Sequence, residues 1–88
     1  MTEHEEYCVS IRESYRAPDS TPVGCAVVLW AWSSYDETWW YAARREYLFA
    51  DYNGSHRKAL RQARRDARKI VGIFDCTNHD INEEGMWQ

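Results

Sequence analysis

Glycine is scarce in this chain, with four in 88 residues, and none of them falls in a glycine-rich loop that could cradle phosphates. Cysteine is scarce too: Cys8, Cys25 and Cys76 are odd in number and widely spaced, which fits no disulfide framework. No apolar signal segment precedes Tyr7, so a reducing cytoplasm is the expected compartment. The longest apolar run, Gly24 to Trp32, is about half of what a membrane-spanning helix needs, and no membrane partner is expected. Both prolines, Pro18 and Pro22, fall in one breaker-rich stretch.

Aromatic residues are abundant. Five Trp, six Tyr and two Phe make up 15% of the chain, and each large ring can bury roughly 150–250 Å². A domain this short buries only about 60% of its unfolded surface, so the rings are expected to make the core sufficient without staples. Residues 1–88 are read as a single domain, with 1–6 and about 79–88 as loose tails. Trp87 is the exception in the acidic segment from Asn78 to Gln88 and is read as able to dock on the domain.

The net charge of −3 hides a strong segregation. Residues 1–43 carry seven acids against Arg12 and Arg16, a balance of −5, whereas residues 44–72 carry nine bases against three acids, a balance of +6. Residues 73–88 add four acids. A general nucleic-acid binder is usually cationic throughout, and this chain is not.

Tyr7, Val9 and Ile11 alternate with Cys8, Ser10 and Arg12, the period of a half-buried strand. Arg16 to Gly24 reads as a loop. Cys25 to Ser33 and Thr38 to Phe49 read as a hairpin around the polar turn Ser34-Tyr35-Asp36-Glu37. With a loop of two or four residues, Trp30 and Trp32 share a face with Trp39, Tyr41, Ala43, Arg45 and Tyr47. The other face then holds Val27, Leu29, Ala31, Trp40, Ala42, Arg44 and Leu48. Asp51 to Gly54 reads as a turn and Ser55 as the N-cap of a helix running to Val71. On that helix Ala59, Leu60, Ala63, Ala67, Ile70 and Val71 occupy an arc of roughly 120°, and seven cations occupy an adjacent arc of about 140°. Gly72 is expected to end the helix and Ile73, Phe74 and Cys76 to form a short final strand. The predicted fold is α+β: a three- to four-stranded antiparallel sheet packed on one basic amphipathic helix, in the order β-β-β-α-β.

The candidate binding residues are the helix cations Arg57, Lys58, Arg61, Arg64, Arg65, Arg68 and Lys69, extended by Arg44 and Arg45. Trp30, Trp32 and Trp39 join them, from an aromatic set with Trp40 and Tyr41 that could stack on bases or form a protein hot spot, with at least one Trp expected to be exposed. The bland alternatives are a solvated helix face and ordinary core packing. Cys76 and His79 stand three apart, but a zinc site usually shows two close ligand pairs, and Cys8 and Cys25 stand alone in separate strands. His56 reads as a partly buried histidine bonded to a carbonyl, and Asp75, Asp80, Glu83 and Glu84 lack the spacing of a magnesium or calcium loop. No catalytic residue, metal or cofactor is expected.

This layout, from Tyr7 to Cys76, resembles that of many small phage-encoded accessory proteins, anti-CRISPR proteins among them. The resemblance implies a protein that binds an effector complex and occupies surfaces meant for nucleic acid. The double-stranded RNA-binding domain is a second comparison, from which the chain departs because residues 1–6 are too short and polar to supply its first helix. The expected function is therefore non-enzymatic docking on a protein or nucleoprotein complex, which it inhibits or modulates. Direct nucleic-acid binding through the arginine-rich helix is the alternative.

Overall fold

Alternation of apolar and polar side chains builds the sheet. A computed structural model describes residues 6–16, 21–74, 76 and 81–84. In it β1 (Tyr7–Tyr15), β2 (Pro22–Ser33) and β3 (Thr38–Leu48) are followed by a 3-10 turn (Phe49–Tyr52), α1 (His56–Ile73) and β4 (Asn82–Glu84). The sheet order is β3-β2-β1-β4, with the three long strands antiparallel and β4 parallel to β1. The α+β layout β-β-β-α-β is thus the observed one, and its fourth strand makes the sheet mixed.

One sheet face is covered by α1. Val9 and Ile11 of β1, Cys25, Val27 and Leu29 of β2 and Tyr47 of β3 meet Ala59, Leu60, Ala63, Ala67 and Val71 of the helix, all of them buried. Ala59, Ala63 and Ala67 are each 0% exposed, so their missing side-chain bulk brings the helix backbone close to the sheet. Ser55 caps the helix by accepting a hydrogen bond from the Lys58 amide at 3.2 Å. Ahead of it, Asn53 and Gly54 take positive φ angles of 56° and 78°, and the Gly54 amide closes the turn onto the Phe49 carbonyl.

Four expectations are corrected. The loop assigned to Arg16–Gly24 is shorter, because Pro22, Val23 and Gly24 belong to β2; residues 17–20 lie outside the described residues. Gly72 does not end α1: the helix runs on to Ile73, and Phe74 caps it by donating its amide to the Ile70 carbonyl. The Phe74 ring packs on Tyr7 at 5.3 Å, a contact that rewards the extra half-turn.

The final strand is not Ile73–Cys76 but Asn82–Glu84, in the segment read as a tail. Its polar sequence has no strand pattern; it is held by β1 pairing and by Glu83, whose Oε1 accepts from Arg64 Nη2 at 2.8 Å while Arg64 Nε donates to both carboxylate oxygens at 3.1 Å. Residues 1–5, 77–80 and 85–88, Trp87 included, lie outside the described residues.

The hairpin faces are half right. The four-residue turn places Trp32 opposite Trp39 and Trp30 opposite Tyr41 as expected. The register then shifts at Leu29/Trp30, where Ala42 is the extra residue, so Leu29 faces Ala43, Val28 faces Arg44 and Val27 faces Arg45. Beyond the bulge every β3 side chain changes face. Tyr47 therefore turns into the core, and Arg44 turns away from it onto the sheet's open face.

Candidate functional site

Two surfaces carry the candidate residues, on opposite layers of the molecule. The first is the outer flank of α1, where Arg57, Arg61, Arg64, Arg65 and Arg68 line a shallow groove of about 460 Å³. Helical spacing sets it: these positions fall in one arc turned away from the alanine stripe. Arg64 is engaged by Glu83, whose hydrogen bonds and charge hold its guanidinium proton more firmly. Among the described residues no carboxylate stands within ion-pair distance of Arg57, Lys58, Arg61, Arg65, Arg68 or Lys69.

Asp66 breaks the run of cations, and the structure explains it. Its carboxylate accepts from the Tyr47 hydroxyl at 2.6 Å and from the Gln62 amide at 3.1 Å, tying α1 to β3, while Arg45 stands 3.9 Å away. The Tyr47 hydrogen bond, with help from Gln62, Arg45 and Lys69, holds Asp66 below the usual carboxylate range. Burial, reinforced by the bond to Asp66, pushes the Tyr47 phenol well up.

A depressed carboxyl contributes stability that is complete above its unfolded value, about pH 4, and is lost as pH falls through the lower folded value. Tyr47→Phe is expected to cost about 1–2 kcal/mol at neutral pH, with that penalty shrinking below about pH 4, as read from urea melts along a pH series.

The second surface is the open sheet face. Trp30 donates from its indole to Ser10 Oγ at 2.8 Å, meets Tyr41 edge-on at 6.3 Å and lies under the Arg12 guanidinium at 5.8 Å. Trp32 meets Trp39 edge-on at 5.3 Å. Arg44 donates to Ser14 Oγ at 3.0 Å and to Glu46 at 3.2 Å. Arg12, Tyr15, Val28, Trp30, Tyr41 and Arg44 line an open groove of about 460 Å³, which Glu13 also borders. Trp39 and Trp40 are exposed at 40% and 55%, which meets the expectation of an uncovered Trp.

The expected single patch is therefore two. Arg44 does not extend the helix cations, since it lies on the open face with Trp30, Trp32 and Trp39; Arg45 lies on the helix side, beside Asp66. Arg12 is a member of the open face that the sequence did not single out. Its place over Trp30 depends on the β1–β2 register, although its alternation with Cys8 and Ser10 was the available signal.

His56 is exposed rather than partly buried, and its ring stacks on Phe49 at 3.8 Å. Cys25 lies in the core while Cys8 shares the open face with Trp30, so the sheet stands between their side chains. No group of three metal-ligating side chains forms among the described residues, and His79 lies outside them. Burial pushes the Cys25 thiol up to about 11, against a partial opposing effect of Arg64. With Cys25 and Cys76 buried and Cys8 half-buried, a thiol reagent at neutral pH is expected to label Cys8 first and the other two only on unfolding, as counted by mass spectrometry.

No known protein family, curated protein or solved structure matches the chain. No described helix is long and apolar enough to cross a membrane.

Proposed function

We propose that the protein is a non-enzymatic binding module that docks its arginine groove on an acidic surface of a larger protein or nucleoprotein complex and so blocks or modulates it. The observation that carries this reading is the groove itself: five arginines line one strip, and only Arg64 has a carboxylate partner among the described residues. From Arg57 to Arg68 the strip runs about 16 Å along the helix. Arginine suits it, because the planar guanidinium grips carboxylates bidentately and stays charged at every relevant pH.

Discrete carboxylates fit this strip better than a continuous polyanion does. The rest of the chain is acidic, and Glu83 sits at the groove's edge, so a phosphate backbone tracking past the helix meets repulsion on leaving it. Interference with an effector complex, as in the anti-CRISPR proteins, is the concrete form of this reading, and the layout of strands and helix is its support.

Affinity capture from host lysate at low and high salt, beside gel shifts with single- and double-stranded oligonucleotides, tests it. The expected result is a salt-sensitive protein partner and no shift of the free oligonucleotides. A steep salt-dependent shift with no protein partner would establish direct nucleic-acid binding instead.

A further inference from the structure

The edge of the sheet carries a second interaction surface. β3 is an outer strand of 11 residues, and every residue from Thr38 to Glu46 is exposed although the run contains Trp39, Trp40 and Tyr41. No strand pairs with its outer edge among the described residues. The opposite edge is β4, three residues long and polar. A long, aromatic outer strand is a template for another strand, and natural proteins usually blunt one with charges or a bulge. This strand has both devices, and they are arranged so that the strand complements itself.

The bulge at Ala42 is the reason. Before it, Trp39 and Tyr41 lie on the open face and Trp40 on the helix face; after it, Arg44 and Glu46 lie on the open face and Arg45 and Tyr47 on the helix face. Odd positions on one side of the bulge thus share a face with even positions on the other. Two copies of β3 running antiparallel about a point between Ala42 and Ala43 place Tyr41 opposite Arg44, Trp40 opposite Arg45 and Trp39 opposite Glu46. Each pair lies on a common face, and the smallest side chains meet at the centre. The aromatic half of one strand then meets the charged half of the other: Tyr41 and Trp40 face arginines, as cation–π contacts require, and Trp39 faces Glu46. Parallel in-register pairing instead stacks Arg44 on Arg44 and Arg45 on Arg45, so the charges select the antiparallel arrangement.

We propose that β3 pairs with the β3 of a second copy of this chain, centred between Ala42 and Ala43, to form a twofold dimer with a continuous eight-stranded sheet. A twofold axis perpendicular to the sheet keeps both helices on one face and both open aromatic grooves on the other. This assembly does not depend on what the arginine groove binds.

Sedimentation of the full chain over a concentration series, paired with hydrogen exchange at the two extremes, tests the dimer. The expected result is a reversible shift from 10.5 kDa toward twice that mass, with amides in residues 38–47 gaining protection as the dimer fills. Trp40→Lys puts a cation opposite Arg45 and is expected to weaken dimerisation about tenfold or more, with an unchanged circular dichroism spectrum, since the ring is exposed and gives up only a surface hydrogen bond to Asp36 in the hairpin turn. A wild-type chain that stays monomeric at its highest soluble concentration overturns the proposal. So does a dimer whose formation leaves residues 38–47 unprotected, an observation on the wild type that stands whether or not Trp40→Lys folds.

Discussion

Reversing Arg61, Arg65 and Arg68 together to glutamate is expected to lower affinity for the captured partner roughly a hundredfold or more while leaving the melting temperature unchanged. Each exposed ion pair contributes up to about 1 kcal/mol, so losing three amounts to about 3 kcal/mol before the new repulsion is added. The fold is insulated because these three side chains are exposed and engage no carboxylate among the described residues.

Arg64 is left out of the triple variant deliberately. Its bidentate bond to Glu83 anchors β4, so reversing it would confuse lost docking with a loosened edge. Isothermal titration of wild type and variant against the same partner gives the comparison. Equal affinities would remove the helix from the interface, while a fall in melting temperature would mean that the cations serve the fold.

Gly24→Ala is expected to cost stability heavily, by about 3 kcal/mol or more in denaturant titration, at the far end of the range for overpacking. A Cβ added at this position would overlap the Tyr47 carbonyl oxygen and stand 3.0 Å from Leu48 Cα. Both are backbone atoms of the adjacent strand, so no rotamer change relieves the clash; β2 and β3 have to separate. Separation there also displaces Tyr47 from Asp66, and so loosens the tie between β3 and the helix. Gly72 provides the contrast, because a methyl added there meets nothing within 4 Å. Alanine at that position is expected to be neutral or mildly stabilising, since it favours the helix that continues through it.

Local chemistry made much of this fold legible. The alanine stripe, the Ser55 cap and the polar hairpin turn each rest on a few neighbouring residues, and each is found where the pattern placed it. What escaped the sequence depended on contacts between distant segments. Asn82–Glu84 has no strand signature, and becomes a strand only because β1 offers an edge and Arg64 a counter-charge. The hairpin faces failed at one residue: a bulge at Ala42 leaves no mark in a run of exposed side chains, yet it reverses everything after it. Gly72 was misread because glycine permits a helix end without requiring one. The candidate site inherited these errors in part. The helix cations are grouped by helical spacing alone, whereas the division of Arg44 from Arg45, and the seat of Arg12 over Trp30, needed the strand registers.

Among the described residues Ser10 and Ser14 are the polar side chains buried on the sheet, at 4% and 2% exposure, and each hydroxyl holds a much larger group above it, the indole of Trp30 and the guanidinium of Arg44. Long side chains that meet a ligand ordinarily surrender rotameric freedom, about 0.5–1.5 kcal/mol apiece. On this face that loss has already been incurred during folding. Whatever settles on the open groove meets a surface that is stiff before contact, and such a surface favours ligands of one shape over those that must be moulded to fit.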